Sequence, residues 1–303
     1  MDFIKSPLNY IGGKFRLLPQ IHPLFPKKMN VFVDLFTGGC NVGINVSAKK
    51  IYCNDNLTYL IDLYKAFQEY STEEILAYIK QQIQKFDLSL TNKDGYLRLR
   101  ESYNSNRNPL DLFVLTAYSF NHQIRFNNQH EFNNPFGFER SCFNEVMERN
   151  LLFFLAKLHS SDITFTNQDF TEFNISNLAE NDFVYCDPPY LITDGTYNDG
   201  KRGFTGWSET QEEKLLQLLD DLDRQGVSFA LSNVLRHKGK QNDLLLNWLT
   251  IRNYSVFPLR MTYSNSNYQT KDRNRKASDE VLITNYEPTG LNLKIFETEE
   301  IFA

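Results

Sequence analysis

The sequence predicts an α/β protein: a doubly wound, mostly parallel sheet interrupted by a mainly helical insertion. Three features predict it. Short apolar strands alternate with helical patterns at the start of the chain, the alternation is lost for roughly one hundred residues, and it then resumes. Such alternation marks parallel strands joined by crossover helices.

The first strand is Val31-Phe-Val-Asp-Leu-Phe36, bounded by Gly38-Gly39, and a helix is expected to begin near Asn41. Ile51-Tyr-Cys53 is the second strand. It ends in Asn54-Asp55-Asn56 and leads into a helical spacing of Leu57, Leu60, Ile61, Tyr64 and Phe67. Residues 71–158 read as helices with polar loops and include an Asn- and Phe-rich stretch, residues 121–138. Strands return at Ile163-Thr-Phe165, Phe183-Val-Tyr-Cys186 and Val227-Ser-Phe-Ala-Leu231, with a helix over 211–222. A helix over 243–249 and strands at 254–257 and 281–285 complete the pattern. The division expected is a discontinuous sheet domain, residues 1–57 and 160–303, around an inserted unit, residues 58–159.

Composition narrows the class. With 41% hydrophobic and 23% charged residues, the 303-residue chain is neither disordered nor collagen-like. No run of about 18 apolar residues occurs, and residues 1–14 lack the apolar core of a signal peptide. Cys40, Cys53, Cys142 and Cys186 are widely spaced, which suggests neither a disulfide framework nor a zinc site. The chain reads as cytoplasmic and reduced, with no membrane contact. A net charge of -5 argues against indiscriminate coating of nucleic acid, although residues 260–276 hold five basic residues and one Asp.

Two segments carry chemistry. Asp187-Pro188-Pro189-Tyr190 directly follows the strand ending at Cys186. Neither proline has an N–H to continue a ladder, so the loop is stiff and extended, at the sheet edge where α/β proteins bind ligands. The Asp187 carboxylate and the Pro188 carbonyl can accept both hydrogens of an exocyclic amino group, and Tyr190 offers a ring for stacking. An Asp, Asn or Ser followed by two prolines and an aromatic recurs by chance in roughly 1% of chains of this length; a rigid structural turn is the alternative. The second segment, Asp34-Leu-Phe-Thr-Gly-Gly-Cys-Asn-Val-Gly43, ends the first strand. Its glycines let the backbone approach a cofactor, and Asp55 lies where an acid commonly holds ribose hydroxyls.

Taken together, these segments resemble the DNA adenine-N6 methyltransferases of the Dam type, over most of the chain. Ser6-Pro-Leu-Asn-Tyr-Ile-Gly-Gly-Lys14 is similar to that family's N-terminal motif, Asp34-Leu-Phe-Thr-Gly-Gly39 to its cofactor loop and Asn54-Asp55 to its ribose-binding acid. Thr166-Asn-Gln-Asp-Phe170 is similar to the motif facing the cofactor adenine, Asp187-Pro-Pro-Tyr190 to its catalytic tetrapeptide, and Phe229-Ala-Leu-Ser-Asn233 to a later strand near the active site. The resemblance implies a Rossmann-like fold, S-adenosylmethionine (SAM) as cofactor with no metal, duplex DNA as substrate and a monomer. It makes Asp187, Pro188, Pro189 and Tyr190 catalytic. It gives Tyr10, Gly12, Lys14, Asp34, Phe36, Gly38, Gly39, Asn54, Asp55, Asp169, Phe170 and Asp187 to the cofactor. Cys40 stands where the family has a third glycine, a tolerable change provided the residue keeps φ below zero.

Asn121-His-Gln-Ile-Arg-Phe-Asn127 and Glu131-Phe-Asn-Asn-Pro-Phe-Gly137 resemble the family's recognition hairpin, which carries Asn121, Arg125 and Pro135 over as DNA-binding residues, with Asn127 and Arg140 beside them. Arg125 can pair bidentately with guanine, or touch a phosphate. GATC is the target the resemblance favours, but Asn9 replaces a lysine that reads its first base. Lys271, Arg273, Arg275 and Lys276, with Arg236, Lys238 and Lys240, are candidates for the phosphate track. His22, His122, His130, His159 and His237 read as surface or packing residues. Alternatives on the same scaffold are a cytosine-N4 enzyme, an RNA or glutamine-amide enzyme, and a catalytically inactive DNA-binding homologue; a cognate restriction endonuclease is a candidate partner system.

Overall fold

The computed structural model describes residues 2–193, 207–260 and 278–288. Eight strands form one sheet: β1 (Val31–Asp34), β2 (Lys50–Asn54), β3 (Ile163–Thr166), β4 (Phe183–Cys186), β5 (Ser228–His237), β6 (Lys240–Gln241), β7 (Ser255–Pro258) and β8 (Ser278–Thr284). Their order is β3-β2-β1-β4-β5-β8-β7, with β6 hairpinned onto β5. The β1–β2, β1–β4, β2–β3 and β4–β5 pairs are parallel, while β8 runs antiparallel to both β5 and β7.

Alternation along the central strands sends side chains to opposite faces. Val33, Val184, Cys186, Phe229 and Leu231 meet α7 (Glu209–Arg224) and α8 (Asp243–Ile251) on one face. Phe32, Phe183, Tyr185 and Ala230 face the other, where α2 (Thr58–Glu69) and α6 (Glu145–His159) pack. Helix starts are fixed locally: α7 opens with a capping box between Ser208 and Gln211, and α3 (Thr72–Lys85) with one between Ser71 and Glu74. Before these, a short α1 (Leu18–Ile21) buries Leu18 and Ile21.

The expected helical insertion contains α3, α4 (Lys93–Asn106) and α5 (Pro109–Tyr118), followed by an irregular hairpin. Residues 110–118 of α5 are all buried. The apolar cluster is continuous from Phe32 and Tyr185 of the sheet, through Leu60 and Phe154, to Phe113, Phe126 and Phe132. The inserted segment therefore shares its core with one face of the sheet.

One expected element is absent. No α-helix begins near Asn41; the chain makes only a 3-10 turn, Gly43–Asn45, and Val46 is already extended. The turn begins but stops at once: Val46 takes an extended backbone (φ -90°, ψ 162°), so no second helical turn can form, and Cys40 just before it adopts a left-handed φ of 55°.

Candidate active site

Strand order reverses between β1 and β4, and at such a switch point the loops leaving the two strands diverge to open a crevice. Register aligns the ends: Asp34 pairs with Cys53 and with Tyr185, so the loops after β1, β2 and β4 leave from one edge. Between them lies a cleft of about 940 Å³, open mouth included, large enough for a nucleoside-sized ligand. Its lining contains every residue that the sequence assigns to a cofactor, from Tyr10 and Lys14 through Asp34 and Asp55 to Asp169 and Asp187. The glycine turn and the loop carrying Asp187 and Pro189 thus share one cavity.

The glycine turn is held from three sides. Gly38 donates its N–H to Asp55 Oδ2 at 2.8 Å, its carbonyl accepts from Tyr64 Oη at 2.8 Å, and Thr37 donates to the Asn54 carbonyl at 2.8 Å. A Cβ on Gly38 or Gly39 would come within 2.9 Å of the Tyr10 side chain, so the absent side chains let residue 10 close over the turn. Cys40 does not meet the expectation of negative φ. Its left-handed backbone is one that glycine adopts without strain, and its side chain is buried 3.9 Å from Cys53 Sγ. The contact with Cys53 and burial push the Cys40 thiol well up, which makes it a packing group rather than a nucleophile.

The cleft fits the cofactor that the motifs imply. Phe36 and Phe170 stand 5.4 Å apart, and Trp207 packs within 5.7 and 5.5 Å of them, forming an aromatic corner for a purine. Asp34 supplies the second fit. It is buried, with Oδ2 accepting from the Gly43 N–H at 3.0 Å, while Oδ1 has no hydrogen-bond partner among the described residues. Burial pushes its carboxyl up to about 8, the Gly43 N–H opposing. A buried orphan acceptor on the cleft wall is a place for a ligand's donor.

Asp187 meets its neighbours on one oxygen. Lys14 Nζ lies 2.7 Å from Asp187 Oδ1, and Tyr190 Oη donates to the same oxygen at 3.1 Å. Lys14 is almost wholly buried, and its ammonium sits 5.1 Å from the centre of the Tyr190 ring. Burial raises the Asp187 carboxyl, the Lys14 ammonium pulls it down, and the Glu280 carboxylate pushes it up again. Pro188 is buried, Pro189 lines the cleft and Tyr190 is half-buried.

The hairpin places Asn121, Arg125, Pro135 and Arg140 on the exterior. Bridges Ser119–Phe136 and Phe126–Phe132 hold its arms, and buried Asn134 donates to the Phe120 and Gln123 carbonyls. Asn9 Nδ2 donates to the Asn121 carbonyl at 2.8 Å, tying the N-terminal segment to the hairpin. Asn127 has a different task. Its Oδ1 accepts from the N–H groups of Gln129 and Glu131, and its Nδ2 donates to Glu131, so it builds the turn. The Arg140 guanidinium lies over the exposed Phe120 ring at 5.3 Å. Lys271, Arg273, Arg275 and Lys276 lie outside the described residues.

Sequence reasoning missed Trp207, Gln211 and Tyr185 in the cleft lining and Glu280 beside Tyr190. Trp207 and Gln211 lie in no cofactor motif, although Ser208 with Gln211 is a legible capping box. Among the described residues no group of three His, Cys, Asp or Glu is arranged to hold a metal, and no helix is long and apolar enough to cross a membrane. His22 packs edge-on to Phe3, and His159 bonds the Phe67 carbonyl at 2.8 Å, as packing histidines do.

Comparison with known proteins gives the same reading. A family model described as D12 class N6 adenine-specific DNA methyltransferase matches residues 10–281. The chain is 54% identical to the modification methylase StsI of Streptococcus sanguinis, over 96% of this chain and 44% of that protein. It is 52% identical to the type II methyltransferase M.FokI of Planomicrobium okeanokoites, over 94% of this chain and 43% of that one. It is 26% identical to the DNA adenine methylase of Salmonella typhimurium, over 93% and 95% of the two chains. The chain therefore spans less than half the length of the two modification methylases. On the family match, which covers most of its length, this chain belongs to the D12 class of N6 adenine-specific DNA methyltransferases.

Proposed function

We propose that the chain transfers the methyl group of SAM to N6 of an adenine flipped out of a short duplex target, within a restriction–modification setting. The observation that carries the reading is the single cleft joining the glycine turn to Asp187, whose described donors both take Oδ1. The second oxygen can then accept from a substrate amino group without displacing either. Family membership supports adenine over cytosine, and likeness to two modification methylases supports the setting.

Bound in the cleft, SAM supplies an electrophilic methyl on a sulfonium, which needs no metal. Asp55 would hold its ribose, the corner of Phe36, Phe170 and Trp207 its adenine, and Asp34 Oδ1 a donor of its amino-acid end. The protein's own residues do the rest by orientation. Asp187 and the Pro188 carbonyl would accept hydrogen bonds from the two N6 hydrogens of the target, opposing delocalisation of the nitrogen lone pair and aiming it at the methyl; as the N–C bond replaces the C–S bond, one N6 proton would leave by way of Asp187 to solvent. The Lys14 ammonium favours the ionised carboxylate against the burial that raises it, and fixes one of its oxygens. An adenine paired in a duplex cannot reach this edge, so extrusion is required, and the Tyr190 ring stacks on the extruded base.

Residues 58–159 form the target-recognition unit, with Arg125 reading a guanine and Asn121 and Pro135 beside it. Arg140 and the β5–β6 hairpin, with Arg236, Lys238 and Lys240, follow phosphates. GATC is the reference sequence for assay. Asn9 cannot supply a lysine's charged contact to guanine, so the target diverges there first. Expression in a methylation-free host, with sequencing of modified bases in its DNA, tests base, atom and motif together. Absence of N6-methyladenine overturns the reading.

A further inference from the structure

Glu280 belongs to no motif, yet it completes the catalytic cluster. It enters because β8 is antiparallel: Glu280, near the start of that strand, pairs with Val234 near the end of β5, at the edge where β4 delivers Asp187. Its side chain is about one-tenth exposed. Glu280 Oε1 accepts from Tyr190 Oη at 3.0 Å and lies 3.7 Å from Lys14 Nζ. The two groups that meet Asp187 Oδ1 are therefore the same two that meet Glu280.

A phenol has one hydrogen, so Tyr190 Oη cannot fully serve carboxylates at 3.1 and 3.0 Å together. Each bond it makes to Glu280 is withheld from Asp187, which then remains a better acceptor for a substrate N–H. Without Glu280 the Tyr190 hydrogen would settle on Asp187, and Lys14, which also donates to the Gly12 carbonyl at 3.1 Å, would lose one of its two carboxylate neighbours.

We propose that Glu280 is a positioning residue for methyl transfer: by bridging Tyr190 and Lys14 it draws the phenol hydrogen from Asp187 and holds that carboxylate ready for the target amino group. The inference rests on the function proposed above. The groups facing Glu280 are Lys14 from the N-terminal segment, Asp187 and Tyr190 from the catalytic loop, and Tyr185 from β4; Arg236 pairs with the neighbouring Asp279. The Glu280 charge disfavours ionised Asp187. Removing it shifts protonation of Asp187, and the acid limb of the rate profile, to lower pH.

The test is single-turnover methyl transfer between about pH 5 and 9, with SAM affinity measured separately by equilibrium binding. Glu280→Gln should transfer about tenfold more slowly near neutrality, with SAM affinity within about twofold and the acid limb moved down. Glu280→Asp keeps the charge and should recover part of the rate with the limb unmoved. In a Tyr190→Phe background, Glu280→Gln should cost clearly less than in the wild type, because the two act on one hydrogen. A Glu280→Gln protein with wild-type rate and profile overturns the inference. So does an equal fall in rate and SAM affinity with the profile unmoved, which would reduce Glu280 to a support for Lys14. Transfer by the wild type with indifferent Glu280 variants sinks this inference alone; no transfer by the wild type sinks the functional reading with it.

Discussion

Trp207 donates its indole N–H to Glu212, a fully buried carboxylate that also accepts from Asn233 on β5 and Asn242 at the start of α8. A buried charge is tolerable only when its lone pairs are met, and three donors meet these. The network fixes one wall of the cleft from behind, joining α7, β5 and α8 through a single side chain. Trp207 is therefore a preorganised surface rather than a loose rim residue.

SAM binding should accordingly quench the fluorescence of Trp207. A Trp248→Phe protein should keep the full response and a Trp207→Phe protein should lose it. Trp207→Ala should bind SAM roughly tenfold more weakly, the value of one aromatic contact of about 1–1.5 kcal/mol. An unchanged affinity by titration calorimetry would remove Trp207 from the site.

Asp187→Ala should reduce methyl transfer by a factor on the order of 10³ or more, as loss of a central oriented acceptor does. SAM binding should largely survive, since the glycine turn and the aromatic corner do not depend on that carboxylate. Rapid-quench transfer together with equilibrium binding separates the two effects, and substantial residual turnover would contradict the role assigned.

Arg125→Ala should relax base choice at one position by about 1–3 kcal/mol while leaving bulk DNA affinity nearly intact. Competition between duplexes differing at single base pairs reports this. A uniform loss across all sequences would assign Arg125 to phosphate instead.

Asp34 gives a pH dependence with a definite sign. Its carboxyl is raised to about 8 in the fold, chiefly by burial, whereas an unfolded chain leaves it in the ordinary range near 4. The folded state holds the proton more tightly, so this group's stabilisation is complete below about pH 4 and is lost as pH climbs towards about 8. Thermal unfolding of the ligand-free protein should show a midpoint that declines over that window. The decline should flatten in Asp34→Asn, whose oxygen can still accept from Gly43.

Much of this was legible in the sequence, for a physical reason. Buried parallel strands must be short apolar runs, and the loops that end them carry residue types that strands exclude, so Asp34, Asp55 and Asp187 are marked by position as well as by type. The turn after Gly39 was not legible, because nothing in the letters says that Cys40 takes a left-handed backbone or that the chain becomes extended at Val46, ending the helix expected at Asn41 after a single turn. Nor could Asn127 be recognised as spending its side chain on its own turn. Trp207 and Glu280 were invisible for another reason. Their roles arise from contacts across the fold, Glu280 meeting Lys14 over a separation of more than 260 residues.

That separation sets an order of events during synthesis. A ribosome delivers Lys14 early, Asp187 much later, and the reversed strand β8 only after residue 278 has been made. Until then the Lys14 ammonium can meet Asp187 but lacks the Glu280 carboxylate. The three-residue cluster of Lys14, Asp187 and Glu280 is therefore assembled only once β8 can dock against β5.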